Sequence, residues 1–275
     1  MADERPLDDQ VQHRAEDGVA RITLNRPEVA NAITPDQRDR IIALLGRASA
    51  ELATRAVVLT ATGTAFCTGA DLRAPRTTAP RPEGAPERAV GDIARTIRDG
   101  AQRLVAAVLD CEVPVIAAVN GTAAGIGAHL AFACDLVLAA DSARFIEVFA
   151  RRGIVPDGGG AYLLPRLIGP QRTKELMFFG DALAATDAER IGLVNRVVPA
   201  TDLEATAKEW ADRLAAGPTR AHALTKALVN RSLESDRAGA FADEALAQEL
   251  ALHTADAQEG IAAFVERRNP TYRGW

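Results

Sequence analysis

Acid and imidazole side chains set among glycines are the residues of this 275-residue sequence best suited to chemistry. In RRGIVPDGGGAYLLPR (151–166), Asp157 stands between a proline and three glycines. Two readings are open. An aspartate can cap a helix that starts in the glycine run by accepting hydrogen bonds from its free backbone N–H groups. It can also serve as an acid/base facing a pocket whose walls the glycines allow to approach closely. Two more stretches end in glycine turns. TGTAFCTGADL (62–72) reads as a strand running into a turn whose amides are free to face a ligand oxygen. VNGTAAGIGAHLAFACDL (119–136) follows a buried strand with small residues and opens a helix, again offering free amides and a positive dipole end. Each also fits tight backbone packing. His129 lies three residues beyond Ile126, either near reacting atoms or hydrogen-bonded at a helix start. Glu147 alternates with Phe149 on an expected strand and so shares its face, as a second pocket acid or as a structural group.

Other chemistries find little support. The three cysteines show no CxxC or metal-type spacing, and Cys67 and Cys134 read as small packing residues, so no metal site is expected. GTAAGIG lacks the acidic residue and flanking unit of a dinucleotide fingerprint. A net charge of −5 with no dense Lys/Arg cluster gives no field for nucleic acid. The most apolar region, 113–133, is interrupted by Pro114, Asn120, glycines and His129, which argues against a membrane span. MADERPLDDQ lacks the regions of a signal peptide, and a reduced, cytoplasmic protein is expected.

The elements that hold these residues follow from periodicity. VARITLN (19–25) alternates as a half-buried strand does, and AVVLTA (56–61) and PVIAAV (114–119) are continuously apolar. DLVLAA (135–140) and RFIEVF (144–149) complete the strands. Thr34-Pro35 opens a helix as cap and first-turn proline, with Ile41, Ile42, Leu44 and Leu45 on its buried face. The stretch 73–88, with Pro75, Pro80, Pro82 and Pro86, reads as a surface loop over a site. Strands and helices alternate, which predicts a mixed α/β core covered on both sheet faces. From about Thr186 the pattern is helical, with one long run through Glu259.

Taken together and in order, these stretches resemble the crotonase, or enoyl-CoA hydratase/isomerase, superfamily. The resemblance runs from ITLNRPEVANAIT through GTAFCTGADL and PVIAAVNGTAAGIGAHLAFACDLVLAADSARF to GLVNRVVP and the tail EGIAAFVERRNPTYRG. It implies an α/β fold: a ββα spiral core, 1–200, that binds acyl-CoA, and a helical trimerisation region, 201–275, in a homotrimer or hexamer. It implies an acyl-CoA thioester substrate, with coenzyme A part of that substrate and no separate cofactor. By position, the amides of Ala70 and Ile126 would hold a thioester enolate oxygen, each donor worth about 3–4 kcal/mol in the transition state. Family hydratases use two glutamates to add water; here His129 and Phe149 stand in their places. The stretch around Asp157 is similar to the branch containing ring-1,2-epoxyphenylacetyl-CoA isomerase, from phenylacetate degradation, in which an aspartate in this context shuttles a proton. The related 4-chlorobenzoyl-CoA dehalogenase has a nucleophilic aspartate there. The resemblance therefore favours catalysis at Asp157 over capping, and isomerase over hydratase, with hydrolysis or non-catalytic acyl-CoA binding as alternatives. The apolar neighbours Val155 and Phe149 are expected to strengthen Asp157 as a base if they close around it. Arg26 and Arg73 are expected partners for CoA phosphates. Ala30, Asp71, Leu72, Glu147 and Phe149 are expected to line the substrate site, and Phe264 to reach a neighbouring subunit's site.

Overall fold

A computed structural model describes residues 5–74, 81–87 and 89–275. Its larger sheet is built from β1 (Val11–Glu16), β2 (Val19–Leu24), β3 (Ala56–Ala61), β5 (Val115–Val119), β7 (Leu136–Ala140) and β10 (Arg196–Val198), in that order. Only β1 and β2 are antiparallel; all the other neighbours run parallel. β2 alternates as its sequence does, burying Ala20, Ile22 and Leu24. β3 and β5 lie in the middle, where apolar residues meet cover on both faces; Val57, Leu59, Val115 and Ile116 are wholly buried. A smaller sheet, in the order β4 (Ala65–Cys67), β6 (Thr122–Ala124), β8 (Arg144–Ile146) and β9 (Ala182–Ala184), carries the short strands.

The helices fill the connections: α1 (Leu7–Gln10), α2 (Pro35–Ala50), α3 (Asp92–Ile97), α4 (Arg103–Leu109), α5 (Ile126–Phe132) and α6 (Gly160–Ile168). After them come α7 (Pro170–Phe179), α8 (Ala185–Arg190), α9 (Leu203–Ala215), α10 (Thr219–Ser232), α11 (Arg237–Leu252) and α12 (Ala255–Glu266). α2 starts as its sequence predicts. Thr34 and Gln37 form a reciprocal capping box, and Ile41, Leu44 and Leu45 are buried while Ile42 is half-buried.

Several boundaries differ from expectation. The strand expected over 144–149 stops at Ile146, because Val148 and Phe149 turn the chain toward the 3-10 turn Ala150–Arg152. The long C-terminal run is two helices, since the Thr254 side chain accepts from the Ala257 amide and starts α12. The division at residue 200 falls just before α9. That helix packs on β3, β5 and β7 and buries Leu203, Ala207 and Ala211 in the same core as the strands. α10 is anchored by Lys226, whose Nζ reaches the Val108 carbonyl at 2.9 Å and Asp135 Oδ2 at 2.8 Å. The last residues return to the sheet: Arg55 bonds Thr219 Oγ1 and the Gly217 and Tyr272 carbonyls, while the Asp256 carboxylate accepts from the Arg273 and Gly274 amides. Of the loop expected over 73–88, residues 75–80 and 88 lie outside the described residues, and 81–87 form no helix or strand. Among the described residues no helix is long and apolar enough to cross a membrane, and no group of His, Cys, Asp and Glu has metal-site geometry.

Candidate active site

Two strands deliver the two amides to one place. β4 and β6 are parallel neighbours, with Ala65 opposite Thr122 and Cys67 opposite Ala123, so their C-terminal ends emerge side by side. Each then enters a glycine turn, at Gly69 (φ 111°) and Gly125 (φ 54°), and the following amides belong to Ala70 and Ile126. Ile33 holds the first turn by donating to the Gly69 carbonyl (2.8 Å) and accepting from the Asp71 amide (2.9 Å), which bypasses Ala70. Among the described residues, neither the Ala70 nor the Ile126 amide donates to a protein acceptor. The turns press together at Gly127, where a Cβ would lie 2.1 Å from the Cys67 carbonyl oxygen. No side chain fits there.

Behind the second turn lies a buried polar pair. His129, on α5, has no solvent exposure, and its Nε2 lies 3.1 and 3.0 Å from the two carboxylate oxygens of Glu147, itself 4% exposed. A carboxylate only accepts, so Nε2 carries the hydrogen. Phe149 stacks on the imidazole, with centroids 5.4 Å apart and planes 11° from parallel. Its Cζ also reaches the Gly125 turn. Glu147 and Phe149 thus converge on one side chain, but not through strand alternation, because the strand ends at Ile146 before either. His129 Nδ1 is buried with no hydrogen-bond partner, and it faces Gly158, the residue after Asp157.

Asp157 does not cap the helix. α6 starts at Gly160 with Gly159 as its N-cap and no side-chain cap bond; only the Asp157 carbonyl takes part, accepting from the Gly160 amide. The half-buried carboxyl is pushed above the ordinary carboxylate range by burial, and the Glu147 charge adds to the shift. Val155 has no part in this burial, being 80% exposed. The condition that Val155 close over Asp157 is not met; the chain turns that side chain to solvent before Pro156.

Residues 14–274 match the family model described as enoyl-CoA hydratase/isomerase. The chain belongs to that family. A probable enoyl-CoA hydratase of Rhodobacter capsulatus is 39% identical over 96% of this chain and 98% of its own. The 1,2-epoxyphenylacetyl-CoA isomerase of Escherichia coli K12 is 36% identical over 94% of this chain and 96% of its own. The crystal structure of enoyl-CoA hydratase from Bacillus anthracis superposes with a TM-score of 0.85 at 34% identity, over 97% of this chain and all of that one. The crotonase-type α/β fold is thereby shown.

The remaining candidates of this hydratase/isomerase family member lie around the first turn, apart from Phe264. Ala70, Leu72 and Arg73 are exposed beside the first turn, and Ala30 and Asp71 are half-buried next to it. Arg26 is a correction. It is 6% exposed, with Nη1 bonded to the Ala32 carbonyl and to Asp71 Oδ2 at 3.1 Å, so it braces the turn from inside instead of meeting a phosphate. Asp71 in turn accepts from the Arg73 amide (3.0 Å). Phe264 lies on α12, 84% exposed, beside exposed Ile261 and Val265. Asn31 was missed by sequence reasoning: 2% exposed, it accepts from the Arg26 amide and donates to the Thr62 and Ala65 carbonyls. Its φ of 54° and that of Ala30, 51°, form a tight left-handed turn. An Asn beside NRPE is the signal that could have found it, since Asn tolerates that conformation. A cavity of about 370 Å³ opens elsewhere, on the large sheet between Arg14, Arg21, Asn120 and Glu204, and none of the candidates lines it.

Proposed function

We propose that this chain is an isomerase of CoA thioesters, moving a proton along the acyl chain through an enolate. The observation that supports this most is the mutual hydrogen bonding of His129 and Glu147. It occupies two of the three acid/base groups and leaves the Asp157 carboxyl, half-buried and raised above its usual range, as the one open to a ligand. Asp157 takes a proton from the acyl carbon next to the thioester. The electron pair left behind is drawn onto the thioester oxygen, which the Ala70 and Ile126 amides hold. Asp157 then returns the proton at a second carbon, and the carbonyl re-forms. One base suffices for this traffic, whereas adding water needs a second group to hold the nucleophile.

Phe149, packed between His129 and the Gly125 turn, keeps the reacting end of the pocket dry. Arg73 and Leu72, exposed at the mouth, meet the coenzyme A moiety, and no separate cofactor enters the reaction. The exposed apolar side chains of α11 and α12, among them Phe241, Leu246, Leu250 and Ile261, suit burial between copies in a trimer or hexamer. The cytoplasm, where acyl-CoA is made and used, is the proposed compartment.

The test is a panel of acyl-CoA thioesters analysed by mass spectrometry in oxygen-labelled water. Mass-neutral conversion without label supports isomerisation. Product carrying labelled oxygen assigns the chain to hydration or hydrolysis instead, and tight binding with no turnover across the panel assigns it to acyl-CoA binding alone.

A further inference from the structure

His129 presents an unusual combination. It is wholly buried, its Nε2–H is bonded to Glu147, and its Nδ1 has neither a protein partner nor contact with solvent. A buried acceptor left without a donor loses its hydration with nothing in return, and such an atom is seldom retained without a use. The ring is held from three sides. Phe149 stacks on one face, Glu147 fixes the Nε2 edge, and Gly160 lies so close that a Cβ would fall 2.2 Å from Nε2. The imidazole therefore cannot turn to offer Nδ1 elsewhere. Its direction is set: a Cβ on Gly158 would be 3.5 Å from Nδ1 and 2.3 Å from Ile126 Cδ1. Nδ1 thus looks toward Gly158, the residue that follows Asp157 and that also packs against the Ile126 side chain.

We propose that His129 is a positioning residue for the shuttled proton: once Asp157 has taken a proton from the substrate, its carboxylic O–H donates a hydrogen bond to His129 Nδ1. This rests on the isomerase reading above. The acyl C–H bond breaks, its electrons pass to the enolate, and the proton becomes the Asp157 O–H. The hydrogen bond to Nδ1 points that proton inward, away from water, until the enolate takes it back at another carbon. Glu147 keeps Nε2 protonated, so Nδ1 stays an acceptor. Nothing is consumed and no second proton is needed. The consequence is a proton that stays with its substrate, and a site that has an internal acceptor for it.

The measurement is label retention. With 3-hexenoyl-CoA deuterated at C2, the wild-type protein is expected to deliver much of the label to C4 of the product. His129→Leu, which removes the acceptor, should lower the retained fraction to the level set by solvent exchange, and His129→Asn, whose carbonyl restores one, should recover part of it. A merely structural role would reduce turnover without moving the retained fraction. Retention in His129→Leu equal to that of the wild type overturns the proposal. Absence of any isomer from the wild-type protein across the thioester panel would instead overturn the isomerase reading. Should His129→Leu not fold, the unmodified protein still decides. Its ¹⁵N histidine spectrum is expected to show His129 protonated at Nε2 and bare at Nδ1, and a protonated Nδ1 in the free protein overturns the proposal.

Discussion

The backbone of Gly160 lies directly against the His129 imidazole, 2.2 Å from Nε2 and 2.4 Å from Cε1 if a Cβ is added. The first residue of α6 and a ring on α5 therefore fit only as a pair. Gly160→Ala should destabilise the protein by about 1–3 kcal/mol through overpacking, although alanine is the better helix former. Adding His129→Ala should return much of that loss, a coupling of about 0.5–3 kcal/mol in a double-mutant cycle read by urea unfolding. Additive effects would show that the two do not touch.

Asp157→Asn should lower turnover about 10²–10⁴-fold while leaving CoA-thioester affinity nearly intact, because the amide keeps the size of the side chain and loses the base. Stability should respond in the opposite sense. A carboxyl whose folded pKa lies above its usual 3.8 stabilises the fold fully only below that value and loses the contribution as pH rises through the folded pKa. Asp157→Asn is thus expected to match or exceed the wild type in chemical denaturation at pH 7, with the difference closing below about pH 3.8. A variant less stable at pH 7 than at pH 3.5, relative to the wild type, would contradict this.

At the paired turns, backbone and side chain should separate cleanly. Ile126→Ala retains the amide and is expected to alter kcat little. Gly127→Ala forces a methyl to within 2.1 Å of the Cys67 carbonyl and moves α5 off β4. If the misaligned amide is a donor to the enolate oxygen, kcat should fall about 10²–10³-fold, with the melting temperature also lowered. Equal kcat for the two variants would remove the amides from the mechanism.

The arginines 26 and 73 should behave as opposites. Arg26→Met leaves the Asp71 carboxylate, 11% exposed, without its cation, and breaking a buried pair in this way costs about 3–5 kcal/mol. Arg73→Ala touches no buried partner, so stability should stay within about 0.5 kcal/mol while KM for a CoA thioester rises. Calorimetry and initial rates on both variants check the contrast.

How much of this was legible in the sequence depends on how local each signal is. The capping box at Thr34, the alternation of Ala20, Ile22 and Leu24, and the apolar run of β3 are local, and the structure follows them. The turns at Gly69 and Gly125 were recognisable as glycine turns. What could not be read was that β4 and β6 lie side by side, since 57 positions separate Ala65 from its partner Thr122. The same holds for His129 and Glu147: 18 residues apart on different elements, each reads as a separate acid/base group, and only packing pairs them. Arg26 misled for a related reason. An arginine beside a turn looks available to phosphate until Asp71, 45 residues on, is seen to hold it. Asp157 lost its capping reading because Gly159 takes the N-cap position of α6 and the Asp157 side chain bonds none of the helix amides.

The clasp between Arg55 and the chain's final turn bears on the order in which the molecule assembles. Arg55 meets Thr219 across 164 positions and Tyr272 across 217, among the longest-range contacts that the fold makes. Contacts of such sequence separation are slow to close, because the loop entropy is lost before the bond is gained. Translation proceeds at about 5–20 residues per second, so residues 11–160, which hold both glycine turns, Asp157 and the His129–Glu147 pair, leave the ribosome several seconds ahead of residues 272–274. The reaction centre and the clasp are then successive events in folding. A substitution at Arg55 should leave the early step untouched and slow the last one, with the apolar faces of α11 and α12 exposed in the interval.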